Sequence, residues 1–119
     1  MTRKKNADTS TFLNDAEKIM REYAGKNPQL SVWRGKFPIK ILGETRLHET
    51  IIVGLSDDKN PSTPPAIPVM KVRLDSGYAE ISLETGSSDD VSSFIPFGGG
   101  HNPIKDVVSL SQRLPSIRI

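Results

Sequence analysis

From Leu30 to Leu83 apolar residues recur at every second position, and this period limits what the chain can fold into. Successive side chains of an extended strand point to opposite faces, so a period of two describes a pleated layer buried on one side. Leu30–Trp33 is a short candidate strand. Phe37, Ile39 and Ile41 then alternate with Lys36, Pro38 and Lys40. Pro38 places that second segment at a sheet edge, because proline has no N–H to give to an inner ladder. Gly43-Glu44-Thr45 has turn composition. Leu47–Leu55 is the most apolar stretch, with Ile51, Val53 and Leu55 on one face and Ile52 on the other, and belongs near the middle of the sheet. Met70, Val72 and Leu74, followed by Ala79, Ile81 and Leu83, form a hairpin across Asp75-Ser76-Gly77.

The flanks have a helical period. Phe12, Ala16, Ile19, Met20 and Tyr23 share one stripe of a helix expected over Thr11–Ala24, capped by Thr11 and stopped by Gly25 and Asn27-Pro28. Asp15 and Glu17 near its start and Arg21 near its end suit the helix dipole. Asn102-Pro103 starts a second helix with the stripe Ile104, Val107, Val108, Ser111 and Leu114. Residues 1–10 are expected as a flexible N-terminal segment and 11–119 as a single α+β domain. Its expected architecture is an N-terminal helix, a four- to five-stranded mainly antiparallel sheet and a C-terminal helix, with both helices on one face. The polar stretch Ser56–Ala66, with Pro61, Pro64 and Pro65, is a surface loop long enough to carry contacts. Ser87-Ser88-Asp89-Asp90 is expected to cap a short helical turn that ends at Phe94-Ile95-Pro96.

The chemistry is narrowed mainly by exclusion. The chain has no cysteine, which removes disulfides, thiolate metal sites and a cysteine nucleophile. No apolar run reaches the ~20 residues of a membrane helix, and no apolar segment follows the basic start, so a cytoplasmic protein is expected. His48 and His101 are far apart and lack the spacing of metal ligands. The carboxylate pairs Asp57-Asp58 and Asp89-Asp90 lie in polar loops, where water keeps carboxylates ordinary. No nucleophile elbow is present. The expectation is therefore a protein that is not an enzyme and takes no cofactor or metal. Gly98, Gly99, Gly100 and His101 precede the second helix and form a candidate anion-binding loop, since amides at a helix start attract anions. That loop lacks the Lys-Ser/Thr pair of a phosphate loop, and Pro103 removes one amide.

With 16 basic and 14 acidic residues the net charge is only +2, too small to point to nucleic acid by itself. The cations nevertheless have a pattern. Lys36 and Lys40 are expected on the outer face of one strand and Lys71 and Arg73 on the outer face of another, with Arg34 and Arg46 close by. Trp33 and Tyr78 supply rings. Trp33 is expected either as an outward contact anchor or at the core edge beneath the first helix. Together these eight residues form the candidate partner-binding set. The leading expectation is an adaptor, inhibitor or small assembly subunit, of a kind common among mobile-element and phage genes, that works through protein–protein contacts. The tail Leu114–Ile119 is a further contact candidate. The alternative is a nucleic-acid binder using the basic face. An exposed edge strand would also permit a homodimer.

Overall fold

A computed structural model describes residues 2–75, 77–96 and 102–118. Helix α1 (Thr2–Ala24) leads into strands β1 (Leu30–Ile41), β2 (Glu44–Leu55), β3 (Ile67–Asp75), β4 (Tyr78–Leu83) and β5 (Val91–Pro96). Helix α2 (Ile104–Ser111) and a 3-10 turn (Leu114–Ser116) follow. The strands pair antiparallel and in sequence order, a five-stranded meander. Helix α1 packs on β1, β2 and β3, and α2 packs on α1 and β4, so both helices cover one face, as the sequence predicts.

The core lies between these layers. Phe12, Leu13, Ala16, Met20 and Ala24 of α1 meet Val32, Ile51, Val53, Val72 and Ile81 of the sheet, with Val107 and Leu114 closing one side. Burying each such large side chain stabilises the fold by roughly 1.5–3 kcal/mol. Asn27 joins the C-terminal segment to the end of α1, its Nδ2 donating to the carbonyls of Leu114 (3.0 Å) and Ile117 (2.8 Å).

Three local expectations need correction. The first helix begins at Thr2 and passes through Thr11, so Thr11 is not its cap and Asp15 and Glu17 are not in its first turn. No glycine or proline occurs before Gly25, and Arg3, Lys4, Lys5 and Ala7 are good helix formers that carry the helix outward. Secondly, the two segments expected between Leu30 and Ile41 are one strand, continuous through Arg34 and Gly35. Thirdly, Val91–Pro96 is a strand, not the end of a helical turn. Val91, Ser93 and Ile95 pair with Leu83, Ile81 and Ala79, and Asp90 closes the preceding loop by accepting the amides of Thr85 (2.8 Å) and Gly86 (2.9 Å). At the second helix, Asn102 Oδ1 accepts the Ile104 amide at 3.1 Å, in keeping with a start at Asn102-Pro103.

The edge strands show why two prolines are tolerated. Ile41 and Glu44 flank a two-residue turn, and such a closing pair exchanges both backbone bonds. Counting back, the odd-numbered residues of β1 bond to β2 and the even-numbered ones turn their N–H and C=O outward. Two side chains follow this parity: Lys59 Nζ donates to the Leu30 carbonyl at 2.7 Å and Arg21 Nη1 to that of Val32 at 3.4 Å. Pro38 therefore lacks an N–H only where no ladder needs one. The other edge repeats the device. The Glu84 amide bonds to the Val69 carbonyl at 2.7 Å, so even-numbered residues of β4 serve β3 and odd-numbered ones serve β5. Ser92, Phe94 and Pro96 consequently face outward, and Pro96 interrupts that edge as Pro38 interrupts the first. Both prolines blunt strand-to-strand pairing between copies. Replacing both with threonine restores two outward N–H groups. The double variant is expected to associate at concentrations where the parent chain stays monomeric, and light scattering distinguishes the two; equal masses would count against the guard.

Candidate interaction surface

The alternation that buries one sheet face also sorts the candidate residues. Arg34 lies on the helix side, where its Nη1 donates to Asn14 Oδ1 and Glu17 Oε1 of α1, each at 2.8 Å. Lys36 and Lys40 share its parity and face the same side. Trp33, opposite Ile52 and Lys71 in the next strands, faces away from the helices. Lys71, Arg73, Tyr78 and Arg46 share that outer face through their pairing partners. The expected patch of Lys36, Lys40, Lys71 and Arg73 therefore does not form: two of the cations are on each side of the sheet. Alternation fixes the two faces of each strand, but which faces of two separate strands coincide depends on their register.

Several of these cations also have internal partners. Arg73 is 8% exposed and its Nε donates to Glu80 Oε1, while Nη1 lies 3.5 Å from Asp75 Oδ2. Arg46 pairs with Glu44 at 3.2 Å. Arg34 also bonds Glu49 at 2.8 Å. Around Glu17, burial raises the carboxyl, but hydrogen bonds from Arg34 and Arg21 outweigh it and hold the group below the ordinary 4.5. A depressed carboxylate stabilises the fold above its unfolded value and loses that contribution as pH falls through the lower folded value.

The outer face carries a thin apolar cover. Ile52 points away from the helices yet is only 1% exposed, flanked by Trp33 and Lys71. The Trp33 ring lies over Gly35, where a Cβ would sit 2.6 Å from ring atom Cζ2. It then meets Phe37 edge-on at 6.4 Å between centroids. Lys71 places its ammonium 5.5 Å from the centre of the Phe37 ring, a cation–π contact. Trp33 is thus a cover for the outer face and not a residue under the first helix. The proline loop is likewise anchored: Lys59 donates to the carbonyls of Asn27 (3.1 Å) and Leu30 (2.7 Å). Pro65 is buried on Gly54, whose Cβ would come within 2.5 Å of it.

What projects is the β1–β2 hairpin. Strand β3 pairs with β2 only from Thr50 onward, so residues 38–47 run past the sheet as a two-stranded arm. From His48 to the turn this is roughly 15 Å of strand. Its turn residues Leu42 (φ 51°) and Gly43 (φ 81°) both have positive φ, the signature of a type I′ turn. Leu42 is 99% exposed. The sequence alone assigned this turn to Gly43-Glu44-Thr45 and so missed Leu42. The available signal was the equal length of alternating sequence on each side of Leu42-Gly43. Pro38 and Leu47 pair across the arm on its helix side, Leu47 being 62% exposed, between Lys36 and Lys40.

Among the described residues no group of three or more His, Asp or Glu is placed to hold a metal ion, and no helix is long and apolar enough to cross a membrane. His48 lies with Nδ1 3.3 Å from the Leu74 carbonyl. The candidate loop Gly98, Gly99, Gly100 and His101 lies outside the described residues. No protein-family model matches the chain, and neither a curated protein nor a solved structure matches it.

Two outcomes follow for this surface. Glu17→Gln is expected to flatten the loss of stability on acidification below pH 4.5 and to weaken the fold at neutral pH by about 1 kcal/mol or less; urea titrations at a series of pH values report both. Gly35→Ala forces the indole off its seat, and a red shift of the single tryptophan's emission with a loss of about 1–3 kcal/mol is expected.

Proposed function

We propose that this chain is a non-catalytic binding protein that docks on another protein by inserting the tip of its β1–β2 arm. The observation that carries this reading is Leu42. A leucine in the left-handed region costs about 1–2 kcal/mol, and asparagine or glycine would occupy that position with less strain. Leaving a leucine side chain in water forfeits roughly another 1.5–3 kcal/mol relative to burial. Folding of this chain gains nothing from it, whereas an apolar cavity on a partner does. A two-residue turn on a paired ribbon holds the side chain ready, which lowers the ordering cost of binding.

The flanks of the tip define the partner's chemistry. Lys36 and Lys40 have no partner among the described residues, while the nearby carboxylates Glu44 and Glu49 are engaged by arginines. Pro38 and Leu47 add apolar area between the lysines. An apolar cavity with an acidic rim complements this surface. Nucleic acid is a weaker fit, since Arg34, Arg46 and Arg73 already neutralise carboxylates and the cations are divided between faces.

A photo-crosslinking residue at position 42, compared with one at Ser92 on β5, tests the proposal in the native host. A nuclease-resistant adduct from position 42 alone is expected. Leu42→Asn relieves the backbone strain, so it is expected to raise stability by about 1 kcal/mol while abolishing the contact. Equal labelling from both positions, or binding undisturbed in Leu42→Asn, would remove the arm from the interface.

A further inference from the structure

At the end of the sheet opposite the arm, the β4–β5 loop and the C-terminal segment face each other across an open groove of about 460 Å³. Thr85 and Ser87 line one wall and Gln112, Arg113, Ser116, Ile117 and Arg118 the other. Two guanidinium groups, three hydroxyls and an amide line this groove, and no carboxylate among the described residues does.

Both walls are held in place. Asp90 gathers the Thr85 amide and hydroxyl, each at 2.8 Å, and the Gly86 amide at 2.9 Å. Its carboxylate is thereby engaged within the loop. Arg113 ties the walls together by donating from Nη1 to the Asp89 carbonyl at 3.0 Å, which leaves further N–H groups of its guanidinium to serve a ligand. Asn27 fixes the opposite wall through the carbonyls of Leu114 and Ile117. Arg118, exposed, has no partner among the described residues. A groove with a prearranged guanidinium, a second exposed one and the hydroxyl donors of Ser87 and Ser116 matches a tetrahedral dianion, which arginine recognises through paired N–H groups.

We infer that this groove binds a phosphate monoester, with Arg113 and Arg118 holding the phosphate oxygens and Ser87 and Ser116 donating from their hydroxyls. The volume exceeds that of a bare phosphate ion, so an organic group attached to the phosphate is accommodated. The inference is independent of the docking role of the arm.

The test is an amide-resonance titration of the full chain with inorganic phosphate and, separately, with O-phosphoserine, against sodium chloride at matched ionic strength. Saturable shifts at Ser87 and Ser116–Arg118 with millimolar phosphate, absent with chloride, are expected. Tighter binding of O-phosphoserine identifies an organic phosphate as the ligand, and equal binding identifies free phosphate. Arg118→Gln removes an exposed cation that pairs with none of the described residues. Its melting temperature should stay unchanged while the dissociation constant rises roughly tenfold or more, as for loss of a charge-assisted hydrogen bond. Arg113→Lys keeps the charge without the fork and should also weaken binding. Shifts reproduced by chloride, no saturation, or unchanged affinity in Arg118→Gln would overturn the assignment.

Discussion

The closure of the sheet's inner face against α1 is the constraint on which most other features depend. Ile51, Val53, Val72 and Ile81 are completely buried there, beneath Phe12, Ala16 and Met20. A slip of one residue in any strand would turn its apolar set to water and its polar set to the core, so burial of one face locks the register of the sheet. Once parity is locked, the orientation of every other strand residue follows. Arg34 must meet Glu17, Trp33 must face away from the helices, and Pro38 and Pro96 must present their missing N–H groups outward.

The outer face shows how a sheet covered by helices on one side limits its exposure on the other. Its centre is not bare. Trp33 folds back over Gly35, Pro65 covers Gly54, and Arg73 is held between Glu80 and Asp75. Thr50, in the same row as Arg73, is fully buried and donates its hydroxyl to the His48 carbonyl at 2.9 Å. Among the described residues one group is left without compensation: the buried Ser31 hydroxyl has no hydrogen-bond partner. Its Cα partner is Gly54, which carries the proline loop, so anchoring this loop leaves a polar atom dry. An orphaned hydroxyl of this kind costs about 1–3 kcal/mol, a sign that holding the loop down contributes more than the loss.

The architecture was legible in the sequence because it depends on period alone. Alternation at Ile51, Val53 and Leu55, and at Met70 through Leu83, identifies strands whatever their neighbours are, and the stripe from Phe12 to Tyr23 identifies a helix. The candidate site was not legible, because it depends on register. Whether Lys36 and Lys71 share a face is decided by which residues of β1, β2 and β3 stand opposite each other, and that turns on the position of the Leu42-Gly43 turn. Leucine is rare at such a position, so composition pointed past it to Gly43-Glu44-Thr45. β5 escaped for a related reason. Serines and aspartates favour caps and turns locally, and only pairing with β4 turns Val91, Ser93 and Ile95 into a strand.

Guarded edges and an unguarded tip have opposite consequences for association. Pro38, Pro96 and the side chains of Arg21 and Lys59 suppress backbone pairing, the least selective way for a sheet to bind, since any extended chain can add to an open edge. Leu42 offers no free ladder, and its side chain is 99% exposed. Its only gain is burial in a cavity of matching shape, and shape is selective where backbone pairing is not. A chain that blocks the first route and keeps a strained, exposed leucine on the second is arranged for a specific partner and against indiscriminate stacking. The arm also runs past the point where β3 joins β2, so a partner can close over its tip without disturbing the core that fixes its direction.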